Sequence, residues 1–186
     1  KNFFTREVGT RHDFIAFNAK GCPCFVENMV RMNVGTQLRQ ISKGVEIVAS
    51  NQKYKNLPII IGETDPEGCA ACGMTVYPQN GYRNGTMYSS YTAASFAKIY
   101  DIAMYYKINL LGVVSWAFEF EDQPWFHGFR DLATNGVDKP VLNVFRMFGM
   151  MSGTRVEAKS NAGIAWESVI ETGVRGENPD INSIAS

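Results

Sequence analysis

The sequence predicts an α/β protein built from three successive strand–loop–helix units. Three apolar runs have the length of strands and cover residues 13–18, 57–63 and 110–118. Each run is followed by a loop and then by a segment whose apolar residues recur every three or four positions, which is typical of an amphipathic helix. Because the second and third runs are almost continuously apolar, we expect strands that are buried on both faces, in a parallel sheet covered by helices.

The first unit combines strand 13–18 with a long helical pattern. A breaker, Gly21-Cys22-Pro23, separates the two. Spacings of three and four then predict one continuous helix whose apolar face is formed by Val26, Val30, Val34, Leu38, Ile41, Val45 and Val48.

The second unit places an acid at the end of a buried strand. Its β-branched run follows Pro58 and ends on Gly62, and Glu63 comes next. In parallel α/β architectures, ligands bind at the carboxyl edge of the sheet, so Glu63 is a candidate functional residue. The alternative is that Glu63 caps a solvated turn. A long loop over 64–86 and a helix over 88–106 complete the unit.

The third unit has strand 110–118 and a loop over 119–136 that is rich in acids and aromatics. A helix is predicted after it, with Asp138 as N-cap, Pro140 in the first turn and Gly153 as the stop. Residues 154–160 then alternate like a strand, and 178–180 form a turn. We interpret this tail as the exit toward a separate all-β module.

Composition excludes several classes of partner. The 186 residues include 18 basic and 18 acidic side chains, which does not favour nucleic acid or an anionic membrane. No apolar run approaches the roughly 20 residues needed to cross a bilayer. The sequence starts at Lys1, so we expect further residues upstream, and nothing indicates the cellular compartment.

Polar and aromatic side chains follow all three strands, and the carboxyl ends of parallel neighbours open on one edge. Aromatic faces stack on the C–H face of a pyranose, while carboxylates and amides bind its hydroxyl groups. The pattern therefore favours a sugar site. The residues gathered there are Asn18, Lys20, Glu63, Asp65, Glu67, Trp116, Glu119, Glu121, Asp122, Trp125, Phe126 and His127.

The sequence resembles glycoside hydrolase family 39, best known for β-xylosidases, over about residues 13–153. The matching segments are Asp13-Phe14-Ile15, Pro58-Ile59-Ile60-Ile61-Gly62-Glu63, Ser115-Trp116-Ala117-Phe118, Phe126-His127-Gly128-Phe129 and 139–145. The resemblance implies that residues 1–153 are part of a (β/α)8 TIM-type barrel, about strands six to eight. It also implies that residues 154–186 are a linker and the start of a β-sandwich-like module.

The resemblance implies retaining hydrolysis of a β-linked xyloside or related glycoside, with Glu63 as the nucleophile and Trp116 as the floor of the sugar subsite. We expect further substrate contacts from the remaining predicted site residues, and no cofactor or metal is implied. These contacts are Asn18, Asp65, Glu121 and His127.

Two departures from the family pattern bear on function. The family shows a histidine and an aromatic residue where this sequence has Asn18 and Lys20. The general acid/base of the family lies in an Asn-Glu-Pro string that is absent here, since the only Asn-Pro is Asn178-Pro179. We therefore expect the acid/base upstream of Lys1, and an isolated chain that is inactive and poorly stable. The alternative is a non-catalytic carbohydrate-binding or scaffold relative.

The four cysteines form two pairs, Cys22 with Cys24 and Cys69 with Cys72. Their spacing is compatible with zinc ligation. Packing as small apolar side chains, or a disulfide, is the favoured interpretation because no zinc-ribbon context surrounds the pairs.

Overall fold

A computed structural model describes residues 11–174 and 179–186. In chain order the elements are β1 (Ile15–Lys20), β2 (Cys24–Val26), β3 (Met29–Arg31), α1 (Val34–Ala49), β4 (Ile59–Asp65), a 3-10 helix (Pro78–Asn84), α2 (Thr86–Tyr106), β5 (Leu110–Val113), β6 (Ala133–Thr134), β7 (Val137–Asp138), α3 (Pro140–Met150) and α4 (Trp166–Thr172).

The central sheet is parallel and has the strand order β1-β4-β5, which confirms a mixed α/β fold. Helices α1, α2, α3 and α4 all pack on one face of this sheet, the helix face, and form one core with it. The opposite face is the helix-free face of the described residues. The expectation that both faces are buried is wrong for the described residues. Leu111 and Val114 are 63% and 47% exposed on the opposite side, because the helices that the structure describes pack on one face only. The described strands do not close into a barrel.

A β-bulge at Gly62 decides which face Glu63 occupies. Phe17 pairs with Ile61, but the next residue, Asn18, pairs with Glu63, so Gly62 is an extra residue in β4. Side chains alternate along a strand, so Glu63 would otherwise share the helix face with Ile61. The bulge reverses the alternation and turns Glu63 to the helix-free face, beside Asn18.

The continuous helix predicted from Val26 is wrong in its first third. Val26 and Val30 belong to the β2-β3 hairpin, whose two turn residues, Glu27 and Asn28, have φ values of 50° and 64°. Helix α1 begins only after Asn33, whose side-chain oxygen accepts from the backbone N–H of Thr36 at 3.1 Å. The remaining positions of the predicted face are confirmed.

The strand of the third unit is shorter than predicted. β5 ends at Val113, although the backbone of Val114 still bonds to Ile61 and Thr64 of β4 at 3.0 and 2.8 Å. A cis peptide bond follows between Trp116 and Ala117. Helix α3 is confirmed with Pro140 at its start, but the predicted N-cap is wrong. Asp138 lies in β7 and pairs with Arg146 at 2.5 Å, while Lys139 takes the cap position without a side-chain cap.

The tail lacks the strand predicted at 154–160 and forms a helix further along the chain, at Trp166–Thr172. Within 154–160 only Val156 forms a bridge, with Ala185, so the predicted strand is wrong. Helix α4 packs on α1 through the buried Val169. The predicted turn at 178–180 involves Asn178, which lies outside the described residues, as do 1–10 of the predicted barrel segment.

In the part of the chain that the structure describes, no helix is both long enough and apolar enough to span a membrane.

Candidate active site

Glu63 lies near the carboxyl end of the central strand, and both of its carboxylate oxygens have partners. Asn18 donates its side-chain amide to Oε1 at 3.1 Å. The Lys20 ammonium contacts Oε2 at 2.6 Å, and the Arg130 guanidinium lies 3.9 Å from the same atom. Asn18 and Lys20 reach Glu63 because β1 runs parallel to β4 in this register.

These partners keep Glu63 ionised. The hydrogen bond from Lys20 lowers the pKa of Glu63, and the charges of Lys20 and Arg130 and the Asn18 amide act in the same direction against partial desolvation. The side chain is 33% exposed, so the carboxylate remains accessible from the helix-free face. Glu63 is therefore an ionised, accessible carboxylate rather than the cap of a solvated turn.

Asp65 is completely buried and differs in role from Glu63. It accepts from Lys20, from Arg130 at 3.1 Å and from the Ser115 hydroxyl at 2.5 Å. Burial raises the pKa of Tyr88, so its hydroxyl, 3.3 Å from Ser115, stays protonated. With three donors and no exposure, Asp65 orients cations around Glu63 and has no surface for a substrate.

Arg130 joins the Glu63 strand to the predicted sugar platform. Its Nε and Nη2 donate to the carbonyl of Trp116 at 3.0 and 2.8 Å, while Nη2 also faces Asp65. Ala117 returns a backbone bond to the Arg130 carbonyl at 3.2 Å. The Trp116 indole is 50% exposed, as a stacking platform requires, and its backbone is fixed by the same guanidinium that faces Glu63.

Glu67 and Arg83 extend this charge network into the long loop. Glu67 Oε1 contacts Arg130 at 3.2 Å, and Oε2 contacts Arg83 at 2.6 Å. Burial raises the pKa of the adjacent Tyr82 to about 12. The loop after β4 is thus ordered around ion pairs rather than around an apolar core.

Two predicted contacts belong to loop structure. His127 lies 3.3 Å from the Thr75 hydroxyl and packs its ring on Phe129 with centroids 4.9 Å apart. Glu121 accepts a hydrogen bond from Gln123 through its backbone carbonyl. Neither is part of the contact network around Glu63 in the described residues.

The cysteine pairs do not form a four-ligand site. Cys69 and Cys72 form a disulfide, and Cys22 and Cys24 are free and exposed. Among residues 11–174 and 179–186, no group of three or more histidine, cysteine, aspartate or glutamate side chains is placed to hold a metal ion.

Arg130, Arg83 and Ser115 are the site residues that sequence reasoning missed. Both arginines are almost fully buried; Arg83 belongs to the 3-10 helix and Arg130 to the aromatic loop after β5. Isolated buried cations need partners. An arginine within the aromatic loop therefore indicated that a carboxylate lies nearby. Ser115 directly precedes Trp116 and could have been included with it.

Fold and contacts together define an α/β protein with an ionised glutamate at the carboxyl edge of a parallel sheet. A scan against protein-family models finds no model that matches this chain, and a search of curated proteins finds no significant match.

Proposed function

We propose that this chain supplies the nucleophile of a retaining β-glycoside hydrolase similar to the β-xylosidases of glycoside hydrolase family 39. The observation that supports it most is Glu63 itself: ionised, one third exposed, and turned to the helix-free face by the bulge at Gly62. The resemblance in sequence implies the same role for this residue. The proposed substrate is a β-linked xyloside or related glycoside.

We also propose that the sheet corresponds to strands six to eight of a (β/α)8 barrel, with residues 154–186 leading to a β-sandwich-like module. The exposed apolar residues Leu111 and Val114 on the helix-free face support this, because that face would be the interior of a closed barrel. The acid/base would then belong to a strand upstream of Lys1.

In the proposed reaction, an oxygen of Glu63 attacks the anomeric carbon while a carboxylic acid protonates the departing glycosidic oxygen. The resulting glycosyl ester is hydrolysed by water, which the same acid group, now ionised, deprotonates. The attack needs a free lone pair on Glu63. Each carboxylate oxygen has two, and the contacts to Lys20 and Asn18 leave room for one to react.

The other carboxylates of the network do not suit the acid/base role. A general acid must lie about 5 Å from the nucleophile, within reach of the leaving oxygen, and must hold a proton. Asp65 is surrounded by Lys20, Arg130 and Ser115, and Glu67 lies between two arginines. The oxygens of both carboxylates are occupied by these donors, and Asp65 has no exposed surface, which supports an upstream acid/base.

The test uses an upstream-extended chain that includes the predicted acid/base and a 2-fluoro xyloside with a good leaving group. Fluorine slows both steps, and the good leaving group accelerates formation of the ester, so the adduct accumulates. Peptide mass analysis should place it on Glu63, and Glu63→Gln should abolish labelling. An adduct on another residue, or full turnover by Glu63→Gln, contradicts the proposal.

A non-catalytic carbohydrate-binding or scaffold protein is the second candidate. It is favoured by Asn18 and Lys20, which occupy both oxygens of Glu63. This candidate predicts that xylosides bind to the extended chain but give neither adduct nor product, and that the upstream sequence contains no Asn-Glu after a strand.

A further inference from the structure

Arg83 is a buried cation of the 3-10 helix that lies outside the contacts of Glu63. Only 1% of its side chain is exposed. Nη1 donates to the carbonyls of Cys72 at 2.9 Å and Gly128 at 3.0 Å, and Nη2 donates to the carbonyl of Cys69 at 3.1 Å. The same Nη2 lies 2.6 Å from Glu67 Oε2. The guanidinium therefore combines loop carbonyls with one carboxylate.

Glu67 is shared between two arginines, and this links Arg83 to the candidate active site. Its second oxygen, Oε1, is 3.2 Å from Arg130 Nη1. Arg130 Nη2 is in turn 3.1 Å from Asp65 and 3.9 Å from Glu63. Charges of opposite sign thus alternate from Arg83 to Glu63, with Arg130 between two groups of carboxylates.

We propose that Arg83 is a positioning residue of the candidate active site: by holding one oxygen of Glu67, it keeps the Arg130 guanidinium between Glu67 and the Asp65–Glu63 pair. This inference rests on the proposed function for its catalytic meaning. Without Arg83, Glu67 Oε2 would keep only the backbone N–H of Cys69, at 3.1 Å, so more of the charge of Glu67 would act on Arg130. Attraction between opposite charges rises steeply at short range in a buried site, so Arg130 would move toward Glu67 and away from Glu63.

Displacement of Arg130 has a defined effect on Glu63. The charged groups around Glu63 are Lys20 on β1, Asp65 on its own strand and Arg130 from the loop before β6. The charge of Arg130 contributes to the low pKa of Glu63. Its retreat raises the pKa of Glu63, while Lys20 continues to hold the carboxylate.

A purely structural role of Arg83 makes a different prediction. Arg83 also bonds to four loop carbonyls, so its replacement loosens the loop in either case. If Arg83 acts only on the carbonyls, a second change at Glu67 adds damage. If it acts by holding Glu67, Glu67→Gln removes the attraction on Arg130. The pKa of Glu63 then returns to its wild-type value in the double variant.

The experiment compares Arg83→Gln, Arg83→Lys, Glu67→Gln and the Arg83→Gln/Glu67→Gln double variant in the upstream-extended chain. Arg146→Met, which removes an exposed arginine paired with Asp138, is the control. The Glu63 carboxyl is titrated directly by 13C NMR and assigned with Glu63→Gln. We expect Arg83→Gln to lower the acid dissociation constant of Glu63 by at least about threefold. Arg83→Lys and the control should stay near the wild type.

Recovery of the wild-type Glu63 titration in the double variant supports the inference, and an unchanged or larger shift overturns it. If Arg83→Gln does not fold, Glu67→Gln alone decides, because Arg130 is then released toward Glu63. A fall in the Glu63 pKa agrees with the inference, and a rise overturns it. The titration needs no turnover. If labelling of Glu63 fails but Arg83 and Glu67 still affect the Glu63 titration as expected, only the proposed function is rejected.

Discussion

A methyl group added at Gly21 should destabilise the chain because three segments meet there. The backbone N–H of Gly21 donates to the Asp65 carbonyl at 2.9 Å, which extends the β1-β4 pairing past Lys20. A Cβ at this position would collide with the Tyr91 hydroxyl and lie 2.5 Å from the Pro66 carbonyl and 3.2 Å from the Asn33 carbonyl. Two of these atoms are backbone and cannot rotate away.

The expected cost of Gly21→Ala follows from these contacts. Overpacking of a tight site costs about 1–3 kcal/mol, and weakening the bond to Asp65 adds about 1 kcal/mol. The free energy of unfolding should therefore fall by about 2–4 kcal/mol. With a urea dependence of about 2 kcal/mol per molar, the midpoint falls by about 1–2 M.

The measurement is urea unfolding of the chain, followed by tryptophan fluorescence. Gly68→Ala is the matched control, because a Cβ there meets nothing within 4 Å, and its effect should stay within about 0.5 kcal/mol. Equal midpoints for the two variants would refute the close approach of the Gly21 turn to the end of β4.

Three further changes test individual contacts. Lys20→Met should raise the pKa of Glu63, because it removes the main stabiliser of the carboxylate, and an unchanged 13C titration would contradict this. Asp131→Asn should cost about 3–5 kcal/mol because Lys139, only 1% exposed, loses its carboxylate partner. Since burial lowers the pKa of Lys139, the variant should regain stability at alkaline pH as the amine becomes neutral, and a pH-independent loss in unfolding assays would refute this. Trp116→Ala should weaken xyloside binding about fivefold, with little loss of stability because the indole is half exposed, and unchanged affinity by calorimetry would remove Trp116 from the sugar site.

The gathering of polar residues at one sheet edge could be predicted because parallel strands share a direction. Once β1 and β4 are identified as parallel neighbours, Asn18, Lys20, Glu63 and Asp65 must lie near one another, and the structure confirms this contact set. The buried tyrosines of α2 were predictable for a similar reason, since helical spacing places them on one face.

The hairpin at 24–31 could not be separated from a helix by spacing alone. Val26 and Val30 are four residues apart, and a spacing of four fits both one helical turn and two strand repeats. The left-handed backbone of the turn residues Glu27 and Asn28 ends one strand and begins the next, so a hairpin forms instead of a helix. Asparagine is a known signal for this conformation, but glutamate is not.

The partners of Arg130 were beyond sequence reasoning for another reason. Its contacts join the loop after β5 to the end of β4 and to the loop after β4, which are distant along the chain, and no local periodicity encodes such a meeting. Only the rule that a buried cation needs a counter-charge pointed to it, and that rule names no partner. The choice among Glu63, Asp65 and Glu67 depends on the folded arrangement.

The extra residue at Gly62 affects how related sites can be found in other sequences. A search for alternating apolar residues ending in an acid would place Glu63 in phase with Ile59 and Ile61 and assign it to the helix layer. Deleting Gly62 would remove the bulge but leave Glu63 directly after Ile61, and therefore still on the helix-free face. An alignment of distant chains must therefore place its gap at Gly62, because a gap one position away would match the letters and exchange the two sides of the strand.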